Sequence, residues 1–294
     1  MELKEKRVLV TGDAGFIGRN LVEELKKQRA EVLTLTDGNG YSIDIRDWQK
    51  VKRIGKMNIV YHLAAIASGP YSFENPRETY EVNVAGSLNI LELCRLRNVE
   101  RIVLISSYVY GHPQYLPIDE KHVVNPTNPY ARSKALSEEL CKAYYKDYGL
   151  KCVIVRPFNI YGEGQSESFL IPRILRKLEH KRIELNDPEP KRDFLYVTDA
   201  VEALIKAGEY DGAAFDIFNI GFGASYSVDE IVKKLITISG RRATASYRYQ
   251  RRKNEILDVI ADISKAKQKL TWEPKVTIDK GLRNMVASMA KKNV

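Results

Sequence analysis

Long hydrophobic runs are missing from this chain of 294 residues: none approaches the roughly 18 to 20 consecutive apolar residues that a membrane-spanning helix needs. Residues 1–7 lead directly into a β-type run with no signal-peptide pattern, so a chain that does not engage the membrane, in the cytoplasm, is expected. Cysteine is scarce as well. Cys94, Cys141 and Cys152 are odd in number, far apart, and show no CxxC or metal-ligand spacing. That excludes a disulfide framework, predicts no metal site, and leaves three small buried hydrophobes in a reducing compartment. Internal repeats, low-complexity tracts and long linkers are absent too. Acidic residues are slightly outnumbered, 38 against 47 basic ones, for a formal net charge of +9. The densest basic cluster, Arg241, Arg242, Arg248, Arg251, Arg252 and Lys253, has only Tyr247 and Tyr249 interleaved, and no nucleic-acid motif accompanies it. Nucleic acid is therefore not an expected partner.

What is present is a regular alternation. Apolar runs at 7–11, 32–36, 58–63, 101–106 and 151–156 (VLV, VLTL, IVYHL, IVLI, CVIV) read as strands covered on both faces. Between them, Leu21, Val22 and Leu25 give a first helix one apolar face, and 79–98 and 130–148 supply two longer helices. Strand alternating with helix means a doubly wound α/β fold of Rossmann type, a parallel sheet with crossover helices. After Arg156 the glycines and prolines at 162, 164, 172, 188 and 190 shorten the elements. The expected division is a dinucleotide-binding unit at 1–160 and a smaller C-terminal substrate-binding lobe at 161–294, with parts of 192–222 able to return to the first unit. Ser227 with Glu230 predicts a capping box for a helix running to about Ser239.

Directly after the first strand stands Thr11-Gly12-Asp13-Ala14-Gly15-Phe16-Ile17-Gly18, with an amphipathic helix starting inside it. In that position Gly12 permits a tight turn, Gly15 lets backbone N–H groups approach a pyrophosphate, and Gly18 allows close helix–strand packing. The spacing is GxxGxxG, one residue longer in the first gap than GxGxxG. An acid after the second strand would hold the adenosine ribose; the expected position is Thr36, and Asp37 follows it. No Arg or Lys lies between 37 and 45 to meet a 2′-phosphate, which favours NAD over NADP. Asp44 could instead cap the segment that follows it.

A second constellation follows. The fourth strand runs into Ser106-Ser107-Tyr108-Val109-Tyr110-Gly111, and Asn128-Pro129-Tyr130-Ala131-Arg132-Ser133-Lys134 comes after it. Tyr130 and Lys134, four apart, share one helix face, and an ammonium beside a phenol favours the phenolate. A tyrosine titrates near pH 10, so it serves as a base near neutrality only when neighbouring positive charge lowers it. Ser106, at the strand end, would hold the same substrate oxygen.

With TGxxGFIG, SSYVYG and YxxxK in this order, the sequence resembles the extended branch of the short-chain dehydrogenase/reductase superfamily. Within it the chain resembles the NAD-dependent epimerase/dehydratase family typified by UDP-galactose 4-epimerases, from about residue 6 to residue 286. The resemblance implies a cofactor set of Gly12, Gly15, Phe16, Ile17, Gly18, Asp37, Asp44, Ile45, Leu63, Ala64, Ala65, Asn83, Tyr130 and Lys134. His62-Leu63-Ala64-Ala65 looks like the family's HLAA run, and Asn83-Val84-Ala85-Gly86-Ser87 like its NVxGT segment. It implies Ser106, Tyr130 and Lys134 as catalytic residues. Ser107, Asn159, Arg192 and Arg252 are implied as substrate contacts, because 156–162, 191–197 and 252–255 look like the RxFNxYG, RDFxxV and RPGE segments. Part of the basic cluster would then serve a diphosphate. Tyr71, Phe73 and Phe169 are expected as pocket walls.

Three chemistries share such a scaffold: 4-epimerisation, 4,6-dehydration and reduction of a 4-keto sugar. Dehydration in the family uses an Asp-Glu pair directly after the Ser/Thr, and Ser107 and Tyr108 stand there instead. The expectation is C4 epimerisation of an NDP-hexose through a transient 4-keto intermediate. Reduction of an NDP-4-keto-6-deoxy sugar is the alternative, and a non-catalytic dinucleotide-binding protein the reading outside enzymes. The resemblance also implies a homodimer paired through the two long helices, on which Val84, Leu88, Leu91 and Cys94 or Arg95, and Leu136, Leu140, Ala143 and Tyr144, recur at helical spacing.

Overall fold

Unbroken apolar runs become strands here because neighbouring residues of one run enter two different cores. In a computed structural model, which describes residues 3–36, 40–251 and 254–292, Val8 and Val10 pack with Val103, Val153 and Val155 on one face of the sheet. Leu9 packs with Val60, Ile102, Leu104 and Ile154 on the other. The period of two assigns alternate side chains to opposite faces, and helices cover both.

In chain order the elements are β1 (Arg7–Thr11), α1 (Phe16–Lys27), β2 (Glu31–Thr34), α2 (Trp48–Val51), β3 (Ile59–His62), α3 (Gly69–Glu74) and α4 (Pro76–Tyr80). A π-helical turn (Glu81–Ala85) leads to α5 (Gly86–Leu96), β4 (Arg101–Ile105), α6 (Pro129–Tyr148), β5 (Cys152–Pro157) and β6 (Asn159–Tyr161). Then come α7 (Leu170–Glu179), β7 (Arg182–Leu185), β8 (Lys191–Tyr196), α8 (Val197–Glu209), β9 (Phe215–Ile220), β10 (Ser225–Ser227) and α9 (Val228–Ser239). The chain closes with β11 (Thr244–Tyr247), α10 (Ser264–Leu270) and α11 (Ile278–Lys292).

Six strands form the central sheet in the order β2-β1-β3-β4-β5-β9, every pair parallel. The doubly wound parallel sheet expected from the alternation is thus present. Chain order reverses direction at β1, whose neighbours are β2 and β3, and the glycine turn leaves from that switch point. The sixth strand comes from 215–220, beyond the point where the sequence pattern loosens. Two small sheets flank it: β10-β8-β6 and a parallel pair β11-β7.

The helix expected over 79–98 differs in detail. It begins at Pro76, and the π-helical turn at Glu81–Ala85 interrupts it, inserting one residue per turn where Asn83 lies. The other long helix matches, starting at Pro129 with the Asn128 side chain accepting from the Ala131 N–H at 2.8 Å. The Ser227/Glu230 capping box forms and α9 ends at Ser239, followed by Gly240 in the left-handed conformation. Of the stripe on α5, Leu91 and Cys94 are buried against the sheet, whereas Leu88 is exposed. Three free cysteines are buried. Among the described residues no helix is long and apolar enough to cross a membrane.

Candidate active site

The turn after β1 has little room for side chains. Gly12 sits at φ +72°, and a Cβ there would lie 2.8 Å from the Ala64 nitrogen; at Gly18 it would lie 2.1 Å from the Gly12 carbonyl oxygen. Gly15 precedes α1, whose N-terminus has no side-chain cap, so its first N–H groups are left to face an anion. These residues fit the pyrophosphate of a dinucleotide, with Phe16 and Ile17 opening the helix.

Beneath the turn, β1 and β3 are tied by uncharged groups. Thr11 Oγ1 lies 2.7 Å from His62 Nδ1 and accepts from the Ala64 N–H at 3.1 Å, while His62 Nε2 lies 2.9 Å from Ser87 Oγ. Burial, reinforced by the Lys134 charge, pushes the His62 imidazole down to about 3, so it is neutral across the physiological range. This network holds Leu63, Ala64 and Ala65 beside the glycines.

Asn83 is 1% exposed and its amide is fully engaged: Oδ1 accepts from the Ile66 N–H at 2.8 Å, and Nδ2 donates to Ser133 Oγ at 2.8 Å and to the Ile66 carbonyl at 3.0 Å. The side chain expected among cofactor contacts therefore braces the 64–66 segment against α6. Its place in the wider π-helical turn lets it reach both. At the adenosine end, Asp44 neither caps a helix nor stands alone. Arg46 donates to it from Nε at 2.9 Å and Nη2 at 2.5 Å and holds its carboxyl below the usual range, while Asp47 caps α2. Ile45 is buried against Gly86. Asp37 and Arg252 lie outside the described residues.

On α6, Tyr130 and Lys134 share the face turned to the sheet. The Tyr130 N–H donates to Ser72 Oγ at 3.1 Å, which fastens α3 to the start of α6. Burial pushes the Tyr130 phenol up, and a hydrogen bond with the Ser107 hydroxyl opposes that rise. Lys134 is 3% exposed; burial brings its ammonium down to about 8, with Glu138 acting in the opposite direction. Ser106, expected beside Tyr130, is 1% exposed and donates its hydroxyl to Glu138. At the strand end the alternation of side chains sends Ser106 inward and leaves Ser107 with the phenol. Glu138 and its partner Arg156 were not singled out by sequence, although Glu138 continues the spacing of four from Lys134.

The substrate-side residues meet in a cleft of about 380 Å³ that includes Asn159, Leu185, Arg192, Phe194 and Glu255 in its lining. Arg192 donates from Nη1 to the Ile256 carbonyl at 2.7 Å and from Nη2 to Glu255. Its charge also acts on the half-buried Tyr108 phenol, which links this cleft to the 106–111 segment. Arg173 and Lys177 of α7 line the same cleft and were missed, because a helical Arg and Lys carry no pattern of their own. Two arginines of the basic cluster are paired with acids: Arg248 with Glu184 at 3.1 Å, and Arg251 with Asp187 at 3.0 Å and with Glu189. Tyr71, Phe73 and Phe169 are not among the residues that line this cleft. Tyr71 donates to Glu78 at 2.5 Å, and Phe73 and Phe169 are exposed. A larger hollow, about 660 Å³ between α1 and α8, contains none of these residues.

Known proteins share this arrangement. The UDP-glucuronate 4-epimerase of Thermodesulfobacterium geofontis is 33% identical over 315 residues, covering 97% of this chain and 96% of the relative. Among solved structures, the UDP-glucose 4-epimerase of Thermotoga maritima with UDP-glucose superposes with a TM-score of 0.91 at 29% identity, covering 98% of this chain and all of that one. The Thermus thermophilus UDP-glucose 4-epimerase complex with NAD gives 0.86 at 30% identity, covering 97% and 99%. The model of the NAD dependent epimerase/dehydratase family matches residues 8–221. Taken with the glycine turn at the switch point and the Tyr130–Lys134 pair, these matches mean that the chain belongs to the NAD dependent epimerase/dehydratase family.

Proposed function

We propose that this protein is an NAD-dependent epimerase acting at C4 of a UDP-linked hexose or hexuronate. The single observation that carries the reading is the half-buried Tyr130 and the buried Lys134 four residues apart on α6, with Ser107 on the phenol, in a chain whose relatives are named UDP-sugar 4-epimerases. NAD, when bound, would supply reversible hydride transfer at the sugar carbon. The glycine turn with Phe16 and Ile17 would hold its pyrophosphate, Asp37, Asp44 and Ile45 its adenosine, and Leu63 to Ala65 its inner wall. Asn83 keeps that wall against α6.

Tyr130 takes the proton of the C4 hydroxyl and later gives it back. Lys134 favours the phenolate by its charge, and at pH 7 it lies below its own titration point of about 8. Ser107 at the end of β4 orients the phenol, and Ser106, bonded to Glu138, holds the end of the strand in place behind it. Asn159 and Arg192, with Arg252 from the same lobe as Arg192, would hold the diphosphate between the two units 1–160 and 161–294.

The proposed assembly is a homodimer through α5 and α6. Leu88, Leu136 and Tyr148 are exposed on these helices, and 136, 140, 144 and 148 recur every fourth residue. Light scattering at micromolar concentration should return twice the chain mass. A cytoplasmic location is in keeping with three free buried thiols. The test of the activity is to incubate the purified protein with UDP-glucose or UDP-glucuronate and follow formation of the galacto epimer. Consumption of reduced nicotinamide with a 4-keto sugar, and no exchange at C4, would transfer the reading to a reductase.

A further inference from the structure

We propose that Glu138 is a positioning residue of the acid/base site: clamped by Arg156 and reached by the Ser106 hydroxyl, it holds a fixed negative charge one helical turn from Lys134. The proposal rests on the acid/base reading of Tyr130 and Lys134.

Tyr130, Lys134 and Glu138 follow one another at intervals of four along α6 and so form one column on its inner face. Glu138 is 5% exposed, and a carboxylate at that depth requires compensation. It receives three donors: Arg156 Nε on Oε1 at 2.9 Å, Arg156 Nη2 on Oε2 at 2.5 Å, and the Ser106 hydroxyl on Oε1. Arg156 is itself anchored, donating from Nη1 to the Tyr110 hydroxyl at 3.0 Å, which donates to Asn219 Oδ1 at 2.5 Å. The clamp therefore joins the ends of β4, β5 and β9 to the helix that carries the acid/base pair. Ser106 is next to Ser107, so the same bond fixes the exit of β4 against the Tyr130 phenol.

Charge gives the clamp its second effect. The titratable groups acting on Lys134 are Glu138 and Cys141 from α6. Lys134 in turn acts on His62 from β3. The Cys141 thiol is raised well above its ordinary value and His62 is lowered to about 3, so both are neutral near pH 7. Glu138 is then the charge that opposes desolvation of the Lys134 ammonium. Without it the lysine loses its proton earlier, and the positive charge that the acid/base reading assigns to the Tyr130 site is weakened.

Glu138→Gln removes the charge and keeps a hydrogen-bonding group of the same shape. Because that variant leaves the Arg156 guanidinium without its counter-ion, Glu138→Gln/Arg156→Gln is made as well. The readout is the pH titration of the Lys134 ε-carbon by NMR in the cofactor-free protein, assigned with Lys134→Met. In either folded variant the midpoint should fall by about one pH unit relative to wild type, the lower end of the effect of a nearby opposite charge. The alkaline limb of the epimerisation rate should move down with it. A Lys134 titration that superimposes on the wild-type curve in a folded variant overturns the proposal and leaves Glu138 and Arg156 a packing role alone. The titration needs no substrate. A wild-type protein that exchanges no UDP sugar would therefore refute the epimerase reading while the Glu138 question is still decided.

Discussion

The two halves of the site are held by different forces. Around the glycine turn, contacts are backbone against backbone and neutral side chains in the core: Gly12 against Ala64, Gly18 against the Gly12 carbonyl, and His62 between Thr11 and Ser87. Around the substrate cleft, Arg248, Arg251 and Arg192 are tied by half-exposed ion pairs to Glu184, Asp187, Glu189 and Glu255. Pairs of that kind contribute little stability each and are screened by salt. A dinucleotide is common to the whole reaction class and meets a rigid cradle. On the proposed reading, the partner that changes between relatives would meet a rim of long, adaptable side chains.

Several measurements would break or sharpen that contrast. The largest effect is expected at Gly18→Val: since even a Cβ must move the Gly12 carbonyl, NAD affinity measured by calorimetry should fall by about a hundredfold or more. Affinity within about threefold of wild type would mean that the cradle is not rigid. Tyr130→Phe comes next, with a fall in kcat of about 10²- to 10⁴-fold and little change in NAD affinity, read by epimer formation. Turnover within threefold of wild type would remove Tyr130 from the acid/base role.

The cradle should also be the acid-sensitive half. His62 titrates at about 3 in the folded chain against 6.5 in the unfolded one, so between these values the unfolded state binds more protons. Its contribution to stability is complete above pH 6.5 and is lost as pH falls, on the order of 1.4 kcal/mol per pH unit. His62→Gln should therefore flatten the dependence of melting temperature on pH between 6.5 and 4; an unchanged slope would assign the acid limb to other groups. The smallest effect belongs to the cleft: raising salt to about 1 M, where the Debye length is about 3 Å, should raise KM for the UDP sugar about threefold. NAD affinity should change less over the same range, and an equal change would erase the contrast.

The legibility of the two halves follows the same division. Glycines at 12, 15 and 18 between a strand and a helix have few explanations, and their close contacts are those that the spacing implies. The YxxxK pair needs only helical geometry to come together. Asn83 and Ser106 show the limit: the spacing that puts both among the site residues does not announce their bonds to Ile66, Ser133 and Glu138. Residue spacing places a side chain on an element but does not say which of two neighbouring serines the end of a strand turns inward. Likewise, Arg173 and Lys177 join the cleft only because α7 packs beside β7, which no local pattern announces.

From its own amino acids the chain determined the parallel doubly wound sheet, through apolar runs whose alternate residues fill two cores, and the dinucleotide turn, through glycines that alone fit there. The strand at 215–220 that completes the central sheet, the pairing of Arg192, Arg248 and Arg251 with acids some sixty residues away, and the Glu138–Arg156 clamp were decided by tertiary structure alone. These contacts join segments whose local sequence is compatible with many partners, and burial of charge selects among them only once the sheet has brought the segments together.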